Sequence, residues 1–115
     1  MRMPQPDGRI GHAEIQIGDS RIMLADEFPE MDARSPKSVG GSPVSIMLYV
    51  EDVDAVFKQA IAAGAREVRP VADQFYGDRL GSLEDPFGHK WHIATHKEDL
   101  SLDEIKKRAA AAKAG

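Results

Sequence analysis

The sequence predicts an α+β fold built from βαβββ repeats, the first of them incomplete. Three observations carry this: Gly77 to His96 reads as a complete β-hairpin, its pattern returns seventy residues earlier, and one strong amphipathic helix lies between the two. In the hairpin, Asp85, Pro86 and Gly88 form the turn, since Pro86 fixes φ and Gly88 tolerates φ > 0. Leu80 to Glu84 then pairs with Lys90 to Thr95, with Leu83, Trp91 and Ile93 on a buried face. Arg79, Leu80, Gly81, Glu84 and Gly88 correspond to Arg9, Ile10, Gly11, Glu14 and Gly18. After a one-residue slip at the turn, Ile22-Met23-Leu24 matches Trp91-His92-Ile93. This is the mark of an internal duplication; coincidence among common residue types is the alternative.

In chain order, Met1 to Pro6 reads as an edge strand or arm, because its prolines remove ladder donors. Gly11 to Ile17 alternates, with Ala13, Ile15 and Ile17 on one face and His12, Glu14 and Gln16 on the other. Gly18-Asp19 turns the chain into a return strand, Arg21 to Asp26, with Ile22 and Leu24 inward. Glu27 to Pro43 is rich in Pro and Gly and reads as a long loop, either a lid over a site or a tether. Val44 to Val50 is a strand. Asp52 caps a helix whose apolar positions Val53, Val56, Phe57, Ala60 and Ile61 share one face, with Gly64 at its left-handed end. Arg66 to Arg69 is a strand that Pro70 is expected to end, and 73–77 is a loop. Ser101-Leu102-Asp103-Glu104 is a capping box that opens a C-terminal helix.

The expected organisation is one domain: 1–28 a remnant of the first repeat, 29–43 a linker loop, 44–97 a complete repeat, and 98–115 the C-terminal helix. The first repeat is short of its strand and helix, whether the protein is naturally short or the sequence begins downstream of its natural start. With no Cys, no disulfide is possible, which allows the expected cytoplasmic location. No segment reads as a membrane span or signal peptide. The net charge is −4 with signs interspersed, which argues against nucleic acid as a partner.

A strand, a helix and three strands, duplicated, with Asp-Pro-Phe-Gly-His-Lys-Trp at 85–91, resembles the vicinal oxygen chelate superfamily of glyoxalases, bleomycin-resistance proteins and extradiol dioxygenases. Residues 6–14, 24–29, 49–54 and 74–79 look like its PhnB-like branch. The resemblance implies a mixed, curved sheet in which two units form a pocket on the faces opposite their helices. Without a first helix, Ala13, Ile15, Ile17, Ile22 and Leu24 would form an exposed apolar patch. A homodimer, with or without exchanged elements, is therefore expected to cover it, through a partner chain or the C-terminal helix.

Metal-using members bind a divalent ion through the first and last strands of each unit. Carried over, the resemblance puts Met23, Ser45 and His92 at three of those positions and leaves the fourth without a counterpart. A thioether and a neutral hydroxyl are poor ligands for such ions, so no metal and no cofactor is expected. His12, Glu14 and His92 could form a rearranged set; a hydrogen-bonded polar wall is the plainer reading. Tyr76 and Arg79 are candidate recognition groups, although Arg79 could instead pair with Glu84 or Asp78. Gln16, Met23, Ser45 and Met47 complete the candidate ligand-binding residues, and Tyr49 could line the floor. His89 and His96 read as surface residues, and no catalytic residue is assigned. The expected function is small-molecule binding in a metal-free, dimeric pocket. A metal-dependent lyase or dioxygenase, or an assembly module without ligand, are the alternatives.

Overall fold

A computed structural model describes residues 1–114, with side-chain surroundings through residue 112. Its backbone separates into two compact units, Met1–Val39 and a second beginning at Gly40.

The first unit holds an antiparallel sheet in the order β1 (Arg2–Pro4), β2 (Ile10–Ile17), β3 (Ser20–Leu24). Gly18, at φ 58°, makes the β2–β3 turn. Pairing of Ile15 with Ile22 and of Ala13 with Leu24 gathers the apolar side chains on one face, as the alternation predicts. The other face carries Glu14 opposite Met23 and Gln16 opposite Arg21. Residues 27–43 are more ordered than the expected loop. They contain a 3₁₀ turn (Pro29–Met31) and a one-turn helix, α1 (Pro36–Val39). Side chains supply the missing regularity: the Glu27 carboxylate accepts from Ser38 Oγ (2.6 Å) and the Ser35 amide (2.8 Å), which holds its pKa down at about 2. Arg9 stacks on the Phe28 ring at 4.1 Å while its guanidinium binds Asp7 and Glu30.

The second unit holds β4 (Ser45–Tyr49), α2 (Val53–Ala62), β5 (Arg66–Asp73), β6 (Asp78–Glu84), β7 (Lys90–His96) and α3 (Leu102–Ala114). Its four strands lie in the order β4-β7-β6-β5, with β4 and β7 parallel and the other pairs antiparallel, so the sheet is mixed. This is the expected βαβββ unit. Asp52 accepts from the Ala55 amide at the start of α2. Thr95 Oγ1 takes the Val53 amide (2.9 Å) and donates to the Val50 carbonyl (2.9 Å), so a strand side chain satisfies a helix donor that has no intrahelical partner.

One stripe of α2 forms the core with the sheet: Val53, Phe57, Leu83 and Ile93 are buried, with Leu48 and Trp91 packed around them. Burial of each such side chain contributes about 1.5–3 kcal/mol. Leu83 lies opposite Trp91, so the hairpin register matches the sequence reading. The turn is fixed by Asp85, whose carboxylate accepts from the Phe87 and His89 amides and from Trp91 Nε1.

One boundary is corrected. β5 does not end at Pro70 but continues to Asp73, because it is the outer strand and Pro70 falls in a register slip where it has no partner on β6. Its register slips between Glu67 and Arg69 and again before Ala72, and Val71 still packs on the core. In α3, Ser101 Oγ accepts from the Glu104 amide, and Arg108 pairs with Glu98 and Glu104. Among the described residues no helix is long and apolar enough to cross a membrane.

Gly81 sits where α2 meets the sheet: a Cβ there would lie 2.7 Å from Val71 Cγ2 and 2.8 Å from the Phe57 ring. Gly81→Ala is expected to destabilise the protein by about 1–3 kcal/mol, read as a lowered urea midpoint at unchanged slope. A midpoint equal to that of the wild type would contradict this packing.

Candidate functional site

With α2 packed on one face of the second sheet, the alternate residues of its strands belong to the other. Strand alternation puts Arg79, Gly81 and Leu83 on the α2 side and Asp78, Leu80, Ser82 and Glu84 on the helix-free side. Cross-strand pairing then arranges the helix-free side chains in rows. Ser45, Lys90 and Glu84 form one; Met47, His92 and Ser82 the next; Tyr49, Ala94 and Leu80 the third; His96 and Asp78 the last.

Two hydrogen-bonded groups stand on this face. In the first, Ser82 Oγ lies 2.7 Å from His92 Nδ1, which fixes the imidazole plane. Ser82 is buried, and His92 is half-buried. In the second, the buried Asp78 carboxylate accepts from Tyr49 Oη (2.7 Å) on one oxygen and meets His96 Nδ1 (2.8 Å) on the other. His96 Nε2 meets Asp99 at 2.7 Å. A neutral imidazole carries one N–H, so facing carboxylates at both nitrogens favours the imidazolium. Its pKa is accordingly raised, first by Asp78 and then by Asp99. The Asp78 carboxylate raises the Tyr49 pKa by accepting a hydrogen bond from its hydroxyl, while burial and then the Asp78 charge raise that of Tyr76. Tyr49 remains 57% exposed although its hydroxyl is fixed.

Of the residues expected to bind ligand, Ser45, Met47 and His92 share the helix-free face, and Tyr76 sits in the β5–β6 loop against Phe75. Arg79 lies on the opposite face. It binds Asp54 of α2 and Asp73 of β5, neither of them the expected salt-bridge partners, and lowers the Asp54 pKa. His12, Glu14, Gln16 and Met23 belong to the first unit. There His12 Nε2 is 2.9 Å from Glu14, Gln16 donates to the Gly18 carbonyl, and Met23 lies across from Glu14. Asp78, Ser82, His96 and Asp99 were not foreseen. His96 is half-exposed as expected of a surface residue, yet both of its ring nitrogens are engaged.

A family model described as Glyoxalase/Bleomycin resistance protein/Dioxygenase superfamily matches residues 2–93. The chain belongs to this superfamily. An uncharacterized protein of Mycobacterium bovis is 44% identical over 108 residues, covering 91% of this chain and 71% of that protein. An uncharacterized Mycobacterium tuberculosis protein has the same identity, and the chain spans 64% of its length. Among solved structures, TioX from Micromonospora sp. ML1 superposes with a TM-score of 0.61 at 29% identity, over 84% of this chain and 76% of TioX. A PhnB protein from Bacillus cereus shares the fold, with a TM-score of 0.55 at 20% identity over 76% of this chain and 66% of its own.

A superfamily metal would need convergent hard donors. Among the described residues no group of three or more His, Cys, Asp or Glu side chains could hold an ion. On the second sheet His92 stands in a row with a thioether and a hydroxyl, neither of them a good ligand for such an ion. These residues do not fit a divalent ion.

The raised His96 pKa gives a signed expectation. Its contribution to stability is complete below the unfolded-state value of about 6.5 and disappears as pH rises through the folded value. The urea midpoint of the wild type should exceed that of His96→Gln most at acidic pH, with the difference shrinking towards alkaline pH. A pH-independent difference would contradict the clamp.

Proposed function

We propose that the protein binds a small organic molecule, without a metal, on the helix-free face of the β4-β7-β6-β5 sheet, and that two copies associate. The observation that carries the first part is the neighbouring pair on β4, Met47 and Tyr49. Both are substantially exposed, at 43% and 57%, beside an imidazole fixed by Ser82. A thioether and an aromatic ring offer dispersion and stacking area to a planar molecule, and a held hydroxyl and imidazole limit the ordering cost of binding. Membership of a superfamily whose description includes bleomycin resistance proteins supports a binding role. Association of two copies is supported by the first unit's apolar face, where Ile15 and Leu24 remain 44% and 46% exposed.

A screen of aromatic and heteroaromatic fragments against methyl-labelled protein tests the site. The Met47 methyl and the Tyr49 ring should shift together in the wild type, with at least tenfold weaker binding in Met47→Glu. Binders that leave both signals unmoved, or turnover that requires an added divalent ion, would contradict the reading. Light scattering tests the association: the wild type should have a dimer's mass, and Ile15→Lys a monomer's. A monomeric wild type at high micromolar concentration would remove the dimer.

A further inference from the structure

We infer that His92 is held as its Nε2–H tautomer and so presents the site with a hydrogen-bond donor, selecting planar molecules that carry an oxygen acceptor: a carboxylate, phenolate or carbonyl. This rests on the proposed use of the helix-free face and specifies its ligand.

The argument starts from Ser82. Its hydroxyl is one donor and its residue is buried, with 4% exposure. Among the described residues its side chain has a single hydrogen-bond partner, His92 Nδ1 at 2.7 Å. If Nδ1 carried the imidazole proton, Ser82 Oγ would be the acceptor of that bond and its own proton would have no acceptor inside the protein. A buried hydroxyl proton left without a partner costs free energy. If Ser82 instead donates, the bond is satisfied, Nδ1 is the acceptor, and the proton of the neutral ring resides on Nε2. Nε2 makes no hydrogen bond among the described residues, and the side chain across from His92 on β4 is the Met47 thioether, a weak acceptor. The donor is therefore available to a ligand.

The surrounding charge agrees with an oxygen acceptor. Lys90, exposed and two residues earlier on the same face, makes no ion pair among the described residues, whereas its cross-strand neighbour Glu84 is bound by Arg66 at 3.1 Å. An Nε2–H nitrogen has no lone pair for a metal, so the tautomer that suits an organic acceptor is the one that opposes chelation.

Long-range ¹H–¹⁵N correlation spectra of the ligand-free protein at about pH 8, where an ordinary histidine is neutral, read the tautomer directly. The expected result is a protonated Nε2 and an unprotonated Nδ1 for His92, with the Nδ1 signal displaced in Ser82→Ala and both signals unmoved by added Zn²⁺. A proton on Nδ1, wild-type and Ser82→Ala spectra that coincide at His92, or Zn²⁺ coordination at Nε2 would overturn the inference. Should Ser82→Ala fail to fold, the wild-type spectrum and the Zn²⁺ titration decide alone. Because no ligand is present, a failed fragment screen alongside an intact Nε2–H tautomer counts against the proposed binding function and not against the tautomer.

Discussion

The second unit depends on a missing side chain. Gly81 lies in β6 where the Phe57 ring descends from α2, and the absence of a Cβ lets the helix settle on the sheet. That contact brings Val53, Phe57, Leu83 and Ile93 into one core and assigns one face of the sheet to the helix. It also leaves the alternate residues of β4, β6 and β7 as the side on which polar and aromatic groups can be arranged for another purpose. Arg79 illustrates the division. It is the functional-looking cation of its strand, but its parity with Gly81 and Leu83 puts it beside the first turn of α2, where Asp54 takes it.

Much of this was legible in the sequence because local rules and tertiary context agree. Asp52, the apolar spacing of 53–61 and Gly64 describe α2 within a residue at either end, and Asp85-Pro86-Phe87-Gly88 describes the β6–β7 turn. What escaped involves information that a single strand does not contain. Pro70 breaks a central strand but not an outer one, and strand order is a tertiary fact. The one-turn helix after Glu27 is held by side-chain bonds to Ser35 and Ser38 rather than by any periodic signal.

For the site, parity was the available clue: Asp78 and Ser82 alternate with Leu83, which was assigned to the core, so they could have been placed opposite it. Their partners could not. That Ser82 faces His92 and that Asp78 faces His96 follows from the β6–β7 register, and that Tyr49 reaches Asp78 requires β4 to lie beside β7. The polar groups are thus joined by strands distant in sequence. Membership of a metal-using superfamily is no guide here either, since Ser45, Met47 and the Ser82-bound His92 combine donor types that do not converge on a hard ion.

The parallel pairing of β4 with β7 has a further consequence for how the protein is made. β4 is the earliest strand of its unit to leave the ribosome, and the backbone groups it needs belong to the last. The β5–β6–β7 meander can assemble from neighbouring segments, but β4 has to wait, with its amides and carbonyls in water, until the chain has been synthesised through His96. Closure of the sheet, and with it the meeting of Tyr49 with Asp78, is for that reason a late step in the nascent chain's history.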